Sequence, residues 1–488
     1  MIADLKPYPA MKDSGVPWLG DVPGHWEVIP IGRVGTLLKG TGGTKADDVS
    51  DGVPCVRYGD LYTKHKFFIR SSRSFVTQER SADYTPILFG DVLFAGSGET
   101  IEEIGKSAVS LLSSPACCGG DVLVLRPTRA VAPEFLGYAS DCHPVAHQKA
   151  AMGRGVTVKH IYSDRLKYLC LPFPPLPEQS AIVRFLDHAD LRISRYIRAK
   201  QKLIKLLNEQ KQAIIHRAVT RGLDPNVRLK PSGVEWLGDV PEHWDVRKLG
   251  QIAISIRTGP FGSILHQSDY VEGGTPVINP THMNGGRIVE DPRSSVPPAV
   301  ADRLSNYRLD KHDLIFSRRG ELGRCALVRG REVNWLCGTG SIRVRVAYEG
   351  IEPEYLIQAL QVRRVGEYLS LFSVGATMES LNTGILKGVP VLVPPADEQR
   401  ELLDHIAREA RDIDRATADA EREIALLREY RTRLVADIVT GKVDVRDAVA
   451  SLPDEAEEPD ALDDADTLAE GDDATGGDPD SMLDEVEA

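Results

Sequence analysis

Two short segments contain residue types that could act on nucleotides or methyl groups. Gly98–Ser107 (GETIEEIGKS) has the lysine and serine of a phosphate-binding loop, in which backbone amides and a lysine hold the phosphates, but Thr100 stands where the first glycine is required. Asn279–His282 (NPTH) begins like the NPPY motif of amino-methyltransferases but lacks its second proline and its aromatic residue. Neither segment supports a catalytic site, and the sequence predicts a non-catalytic chain without a cofactor.

The cysteines and histidines give neither a disulfide framework nor a metal site. The chain has seven cysteines, an odd number, and none of them form a CxxC pair. Cys142, His143 and His147 have a spacing suited to zinc, but no second cluster supplies the remaining ligands. We therefore expect reduced thiols, a cytoplasmic location and no bound metal.

The composition is that of an ordinary globular protein with room for two or three domains. Hydrophobic residues make up 42% and charged residues 27% of the 488 positions. No segment approaches the roughly 20 uninterrupted apolar residues of a membrane span, and Met1–Pro9 has no apolar signal core. The sequence predicts no membrane partner.

The net charge of −12 is unevenly distributed along the chain. Ala450–Ala488 contains ten Asp, six Glu and no Lys or Arg, which leaves 59 basic against 55 acidic residues in the remainder. Because this segment is poor in large apolar groups, it cannot offset the entropy lost on ordering, and we predict a disordered acidic tail over 446–488. It is either a solubilising tail or one that mimics DNA or docks a partner.

The chain is an internal duplication. Ser14–Val28 (SGVPWLGDVPGHWEV) and Ser232–Val246 (SGVEWLGDVPEHWDV) agree at twelve of fifteen positions, although they are far apart in the chain. Near the end of each copy, PPLPEQ at Pro174–Gln179 corresponds to PPADEQ at Pro394–Gln399. Two half-chains of about 210 residues thus share one architecture.

Each copy contains a variable globular region followed by a long helix. The regions 28–175 and 246–395 hold short apolar strands such as Ser341–Val346, separated by glycines and by helical stretches, which is typical of a mixed α/β domain. After each PPxxEQ motif, about 44 residues lack proline and interior glycine, enough for a helix of roughly 66 Å.

Apolar residues recur along both predicted helices with heptad spacing, which indicates two helices that pack along a seam. The alternative is that each helix packs only on its own domain. The predicted seam consists of Ile182, Leu186, Ile193, Leu203, Leu207 and Ile214 in the first copy and Leu402, Ile406, Ile413, Leu427, Tyr430 and Leu434 in the second.

Charge favours pairing of the two helices with each other. Pro177–Gly222 has ten Lys or Arg against four acids, whereas Glu398–Lys442 has nine against eleven. The short linker between the copies makes an antiparallel arrangement natural. We predict two similar domains separated by two long antiparallel helices that form a coiled coil, with an approximate two-fold internal repeat. The predicted domains are 1–176, 177–222 (first helix), 223–395, 396–445 (second helix) and the tail.

This order of motifs resembles the specificity, or DNA-recognition, subunit of type I restriction–modification systems. The same series occurs twice over residues 14 to 445: a WLGDVPxHW segment, a variable domain, a PPxxEQ motif and a long helix. The resemblance implies that each variable domain is a target-recognition domain for one half of a bipartite, asymmetric DNA site. It also implies that the helices set the spacing between the half-sites and dock two methyltransferase subunits.

The resemblance further implies that endonuclease–translocase subunits join the complex and that S-adenosylmethionine, ATP and Mg²⁺ are used by the partner subunits. The alternatives are a coiled-coil adaptor on the same scaffold without DNA-sequence recognition, and an enzyme with fused recognition domains. The latter needs several hundred further residues with a cofactor-binding loop.

Candidate DNA contacts lie in glycine-rich and basic segments after the strands of each variable domain, since glycines let backbone amides approach phosphates and neighbouring side chains can contact base edges. An ordinary surface loop is the alternative for each segment. The candidates are Lys39, Thr41, Lys45, Arg57, Tyr58, Lys64, Ser97, Lys106 and Arg154 in the first copy, and Arg257, Ser263, Gln267, Asn279, Thr281, His282, Arg287, Arg318, Arg319 and Arg324 in the second.

Overall fold

The structure, a computed structural model, describes residues 5–43, 45–98, 100, 103–154, 159–261, 264–346, 349–373 and 381–453. The chain divides into two compact units. The first unit comprises Met1–Ala199 and Glu423–Ala488, and the second comprises Lys200–Arg422. Each unit therefore contains one copy of the repeat together with a part of both long helices.

The first copy and its long helix contain fifteen described strands and five α-helices. In chain order these are β1 Met11–Asp13, β2 Asp21–Pro23, β3 Glu27–Pro30, β4 Gly35–Lys39, β5 Val53–Val56, α1 Tyr58–Thr63, β6 Phe67–Ile69, β7 Ser74–Val76, β8 Thr85–Ile87, β9 Val92–Ala95, β10 Ser97–Gly98, β11 Ser107–Ser110, β12 Ala116–Cys118, β13 Val122–Pro127, α2 Pro133–Asp141, α3 His143–Met152, β14 Lys159–His160, α4 Ser163–Leu166, β15 Cys170–Phe173 and α5 Leu176–Arg221.

The second copy repeats this order with local differences. Its elements are β16 Leu229–Pro231, β17 Asp239–Pro241, β18 Asp245–Lys248, α6 Leu249–Ile252, β19 Ala253–Thr258, β20 Thr275–Ile278, β21 Met283–Asn284, β22 Arg287–Ile288, β23 Ser295–Val296, α7 Pro298–Arg303, β24 Leu314–Ser317, β25 Cys325–Leu327, β26 Leu336–Cys337, β27 Ser341–Val346, α8 Pro353–Leu360, α9 Arg363–Phe372, α10 Thr383–Gly388, β28 Pro390–Val393, α11 Ala396–Val439 and the short α12 Arg446–Ala450.

The sheets of the two copies share one strand order, although each sheet of the first copy has one further strand at its edge among the described residues. A larger sheet has the order β4-β13-β9-β11-β6 in the first and β19-β27-β24-β25 in the second, and a smaller sheet has the order β7-β5-β12-β8 or β23-β20-β26. Pairing is mostly antiparallel, but β12 is parallel to β5, β26 is parallel to β20, and β11 is parallel to β6. The predicted mixed α/β fold with an internal repeat is confirmed.

The central strands of the larger sheets have no polar face. All four residues of β9 (VLFA) and of β24 (LIFS) are buried, because both faces of each strand are covered. Helices α1 and α2 contact β9, whereas Leu314 and Phe316 of β24 belong to a core cluster with α8 and Ile315 belongs to another with β20. Strands buried on both sides contain continuous apolar runs instead of alternating ones. This explains why short uninterrupted apolar runs mark the strands in the sequence.

Within each copy, the WLGDVPxHW segment contacts the PPxxEQ motif at the start of the long helix. In the first unit, the Trp26 indole donates a hydrogen bond to Glu178 Oε2 (2.8 Å), and His25 Nε2 lies 2.6 Å from Glu178 Oε1. In the second unit, Trp244 and His243 contact Glu398 in the same way, at 3.0 and 2.8 Å. Both indoles are fully buried, so the carboxylate joins the WLGDVPxHW segment to the helix.

The glutamine of each PPxxEQ motif connects the same helix to the globular domain. The buried Gln179 side chain accepts a hydrogen bond from the Ala132 amide and donates one to the Pro174 carbonyl, both at 2.8 Å. Gln399 does the same with the Glu352 amide and the Pro394 carbonyl, again at 2.8 Å. Since a buried side-chain amide is costly without partners, these bonds explain why the motif occurs at both helix starts.

The long helices bury positions that follow a period close to 3.6 residues, the period of a straight helix. Buried or half-buried positions are Ile182, Leu186, Ala189, Ile193, Ile197, Lys200, Ile204, Leu207, Lys211, Ile215 and Ala218 on α5, and Leu402, Ile406, Ala410, Ile413, Thr417, Ala420, Ile424, Leu427, Arg431, Val435 and Ile438 on α11.

Two residues of the predicted heptad seam are therefore not buried. Leu203 is 41% and Tyr430 is 36% exposed, whereas Ile197 and Ile424, which the heptad pattern omits, are buried. A strict heptad drifts by about 20° per repeat against a straight helix, so a register set at one end no longer faces the buried side of the helix several turns later.

The end of α11 leads back into the first unit. Gly441, with φ of +74°, terminates the helix, and Asp444 then pairs with Lys6 in an isolated antiparallel bridge. Arg446–Ala450 forms α12, and Leu452 is buried, so residues 446–453 are ordered where the sequence predicted the tail to begin. Of the described helices, none has the length and apolar character needed to cross a membrane.

We predict that Glu178→Ala lowers the free energy of unfolding by about 1–3 kcal/mol, because it leaves the buried Trp26 indole without its acceptor. Chemical denaturation of the full chain measures this change. Glu27→Ala is the matched control, since Glu27 is 57% exposed and pairs with Arg129 at the surface, and we expect a loss of no more than about 1 kcal/mol. Equal losses in the two variants would contradict the role assigned to Glu178.

Candidate nucleic-acid interface

Loops meet at one end of the larger sheet in the second unit. Backbone hydrogen bonds join them: Gly259 N to Ser341 O (2.9 Å), Gly338 N to Ile278 O (2.9 Å) and Arg318 N to Gly340 O (2.8 Å). We call residues 257–261, 279–282, 318–320 and 338–340 the second loop cluster. Its loops follow β19, β20 and β24 and precede β27.

The first unit holds the corresponding loops with the same three bonds. Gly40 N donates to Val122 O (2.7 Å), Gly119 N to Val56 O (3.1 Å) and Gly96 N to Asp121 O (2.7 Å). Residues 39–43, 57–60, 96–98 and 119–121 are the first loop cluster. The two clusters are therefore held by equivalent backbone hydrogen bonds at equivalent sheet ends, and we call this set of bonds the backbone frame.

Glycine is required where these loops touch. A Cβ atom added at Gly40 would lie 2.1 Å from the Gly119 carbonyl oxygen, and one at Gly259 would lie 1.8 Å from the Gly338 carbonyl oxygen. Both distances are shorter than any stable contact, so only glycine permits the approach. The glycine-rich segments that the sequence marked as candidate contacts are thus explained first by the frame.

The frame carries different side chains in the two clusters. Arg57 in the first cluster corresponds to Asn279 in the second when the two copies are aligned, and Gly96-Ser97 corresponds to Arg318-Arg319. Arginine can donate two hydrogen bonds to guanine, whereas asparagine pairs with adenine. Two loop clusters of equal shape therefore offer different chemistry to a bound base.

The second cluster is rich in cations. The Arg318 guanidinium lies 4.6 Å from the Phe261 ring centroid, and Phe261 itself is 49% exposed. Burial lowers the pKa of Arg318, and the neighbouring Arg319 lowers it further. Arg257 and Arg319 are exposed and contact no carboxylate among the described residues. Phosphates or base edges would suit this surface.

The first cluster is electrically balanced. The Arg57 guanidinium donates to Asp48 (Nε at 3.1 Å); although burial opposes it, this hydrogen bond raises the pKa of Arg57. Lys64 Nζ is 2.6 Å from Asp60 Oδ1. These residues and the 39%-exposed Tyr58 line a surface cleft of about 820 Å³ beside the glycine loops. DNA would have to displace carboxylates from the cations here.

The remaining candidates of the first unit lie in varied surroundings. Lys39 and Thr41 are exposed at the end of β4, and the Thr41 hydroxyl contacts that of Thr85 at 3.0 Å. Ser97 is buried, with Oγ 3.0 Å from His160 Nδ1, and Lys106 Nζ lies 2.6 Å from Asp141, so neither offers a free polar group.

Arg154 is exposed and its backbone pairs with His160, which places it beside the first cluster. The Lys45 side chain is outside the described part of the structure. The cluster therefore gathers Lys39, Thr41, Arg57 and Tyr58 but not Lys106.

The second unit brings most of its candidates together. Thr281 and Arg324 line one surface cleft of about 790 Å³, where Arg324 pairs with Glu321. His282 is buried and accepts a hydrogen bond from the Asn279 amide, and burial lowers its pKa, so it fits a structural role.

Arg287 and Gln267 are exposed but lie outside the loop cluster, and Ser263 lies outside the described residues. Asn279, Thr281, Arg318 and Arg319, with Arg257, thus belong to the second cluster.

Sequence reasoning missed part of both clusters. Gly119–Asp121 and Gly338–Gly340 contribute loops to them, and Phe261 forms the exposed aromatic surface of the second. A signal was present, because CGGD and CGTG precede β13 and β27 at matching positions of the repeat.

Cys142, His143 and His147, whose spacing suited a zinc site, lie after α2, and the two histidines contact each other. His143 Nε2 and His147 Nε2 are 3.2 Å apart on α3, and Cys142 is buried. Within the described ranges, no group of three or more His, Cys, Asp or Glu residues is arranged to hold a metal ion.

A family model agrees with the duplication. The model described as "Type I restriction modification DNA specificity domain" matches residues 23–206 and again residues 241–417. Together the two matches cover well over half of the chain, and each includes a loop cluster and a part of one long helix.

Curated relatives are similar along most of their length. The type I restriction enzyme EcoKI specificity subunit of Escherichia coli K12 is 22% identical, over 79% of this chain and 82% of the relative. The putative type I restriction enzyme MjaX specificity subunit of Methanocaldococcus jannaschii is 24% identical, over 88% and 96%. A chain from a solved structure on assembly of the type I R-M system shares the fold, with a TM-score of 0.57, 18% identity and coverage of 86% and 98%.

Taking the second loop cluster as a DNA-binding surface, we predict that Arg319→Ala weakens binding of the target duplex about 5- to 150-fold, the effect of one lost contact to a base edge. Arg331→Ala is the control, since Arg331 is 71% exposed and pairs with Glu290. Fluorescence anisotropy with target and scrambled duplexes measures both variants. Equal weakening on both duplexes would assign Arg319 to a phosphate, and unchanged binding would remove it from the interface.

Proposed function

The chain belongs to the type I restriction–modification DNA specificity family, and we propose that its two domains each recognise one half of a bipartite, asymmetric DNA site. As a member of this family it is the DNA-recognition subunit of a type I restriction–modification system. We locate the surface of each domain that recognises its half-site at the loop cluster, and we call each such domain a reader. The function as a coiled-coil adaptor without DNA recognition is not favoured.

The observation that carries this proposal is the shared backbone frame with different side chains. Equivalent hydrogen bonds hold both clusters, yet Arg57 is replaced by Asn279, and Gly96-Ser97 by Arg318-Arg319. Side chains that differ at equivalent positions suit two unrelated half-sites. Two readers also give more base contacts than one domain can make, which multiplies discrimination between sequences.

The long helices pair antiparallel in this proposal and form the spacer between the readers. Contacts within each unit support it: Lys211 on α5 lies 2.5 Å from Asp414 on α11 in the second unit, and Asp190 on α5 pairs with Arg431 on α11 in the first. Residue numbers increase on α5 as they decrease on α11, as an antiparallel pair requires. The length of the pair would then set the distance between half-sites.

Two methyltransferase subunits dock on the helices. Support comes from an exposed apolar pair repeated by the duplication: Leu206 and Leu426 occupy equivalent positions of the two copies and are 52% and 57% exposed. Exposed leucines at equivalent positions suit two identical partners. Endonuclease–translocase subunits then join, and the partners use S-adenosylmethionine, ATP and Mg²⁺, while this chain performs no catalysis.

An exchange of readers tests the proposed function. Replacing residues 28–175 with the equivalent segment of another family member is expected to change one half of the methylated site and to leave the other half and the spacing intact. Methylation mapping in a host with the complete system measures the outcome, and the unexchanged chain is the control. A simultaneous change of both half-sites would refute two independent readers.

Two double variants at adjacent positions distinguish the docking of methyltransferase subunits from the pairing of α5 with α11. Leu206→Asp with Leu426→Asp is expected to abolish capture of methyltransferase subunits without lowering the melting temperature, because these side chains are exposed. Leu207→Lys with Leu427→Lys changes half-buried positions and is expected to lower the melting temperature, since lysine ammonium groups would lose water there. Pull-down stoichiometry and thermal melts measure both, and identical behaviour of the two variants would contradict the assignment.

A further inference from the structure

The middle of α5 contains a run of cations without acids. Between Asp190 and Glu209 there are six Lys or Arg residues and no Asp or Glu. Three of them, Arg198, Lys202 and Lys205, are exposed and form no hydrogen bond or ion pair with any residue in the described ranges. We call these three residues the basic stripe.

The stripe occupies one side of the helix. Spacings of four and three residues place Arg198, Lys202 and Lys205 along one face, at about 100° per residue. That face is roughly opposite Ile193 and Ile204, which are buried or half-buried. The three cations therefore contribute nothing to the packed side of the helix.

The stripe is unfavourable to the helix by itself. Like charges three and four residues apart repel each other and destabilise an isolated helix. No carboxylate of a described residue pairs with them to reduce this repulsion. An anionic partner outside the chain would remove the repulsion and gain attraction at the same time.

The duplication does not repeat the stripe. The equivalent positions of the second copy are Ala418, Arg422 and Ala425, and Arg422 pairs with Asp419 at 3.2 Å. Two identical protein partners would require equivalent surfaces on both helices, as Leu206 and Leu426 provide. A feature present once suits a partner present once, such as a single duplex.

The dimensions agree with a nucleic-acid backbone. From Arg198 to Lys205 the helix rises by about 10 Å. One strand of duplex DNA presents a phosphate about every 3.4 Å along its axis, so the stripe spans about three phosphates. The stripe also lies about midway along α5, which begins after the last strand of the first copy and ends before the second copy.

We propose that the basic stripe binds the phosphate backbone of the spacer DNA between the two half-sites, without regard to its sequence. The inference rests on the proposed recognition of a bipartite site and adds a third, non-specific contact to the two readers. Phosphate contacts position a duplex and contribute salt-dependent affinity, whereas base contacts specify it. The stripe would thus increase affinity without narrowing the choice of spacer sequence.

The test is the triple variant R198Q/K202Q/K205Q of the full chain. Affinity for the methylation-mapped target duplex is measured at several KCl concentrations, with melting curves to verify folding. We expect roughly 10- to 100-fold weaker binding near 0.1 M salt and a salt slope smaller by about 2–3, since each lost phosphate contact lowers the slope by about 0.9. The preference for target over scrambled half-sites and the melting temperature should stay unchanged.

The matched control is R408Q/R411Q/R415Q on α11. These arginines are also exposed and spaced by three and four residues, but each has an acid three or four positions away. The control should bind like the parent chain. Uncharged methylphosphonate linkages in the spacer of the target duplex should weaken its binding to the parent chain. They should not change its binding to the stripe variant.

The outcomes separate this inference from the proposed function. Failure of the parent chain to prefer its mapped target would refute the proposed recognition itself. If the parent chain prefers its mapped target but the stripe variant has an unchanged salt slope, only the proposed role of the basic stripe is refuted. Loss of methyltransferase capture with unchanged DNA binding would also overturn it, because the stripe would then belong to a protein interface.

Discussion

The structure depends on one half-buried carboxylate at the start of each long helix. Glu178 and Glu398 accept hydrogen bonds from fully buried tryptophan indoles, and each also contacts the preceding histidine. A buried indole N–H without an acceptor is costly, and each carboxylate supplies that acceptor. The interaction therefore holds both motifs together, and it sets where each helix leaves its domain.

From this fixed base, the sheets present their loop clusters on a frame of backbone hydrogen bonds and glycines. Because backbone atoms and the contact at Gly40 or Gly259 determine the frame, the side chains at the cluster are free to differ between copies. Under the proposed function, this separation of support from recognition would let one fold serve two unlike half-sites. It also explains why the duplicated sequence is most similar away from the clusters.

The long helices illustrate how far a periodic pattern extends. Apolar spacing predicted two long helices, and α5 and α11 span Leu176–Arg221 and Ala396–Val439. Leu186 and Ile406, near the helix starts, are buried, whereas Leu203 in the middle of α5 and Tyr430 near the end of α11 are exposed. Small differences in period accumulate over ten turns, so a register derived from one segment does not apply to the whole helix.

The sequence by itself determined the duplication, the mixed α/β class, the long helices and the family, because repeats, periodicity and motifs are local properties of a chain. Only the tertiary structure decided that Glu178 holds Trp26 and that glycine loops distant in sequence meet at one sheet end. It also decided which candidate cations have carboxylate partners, as Arg57 does and Arg319 does not among the described residues. Such contacts join residues that are far apart in the chain, and their partners depend on packing that no local pattern records.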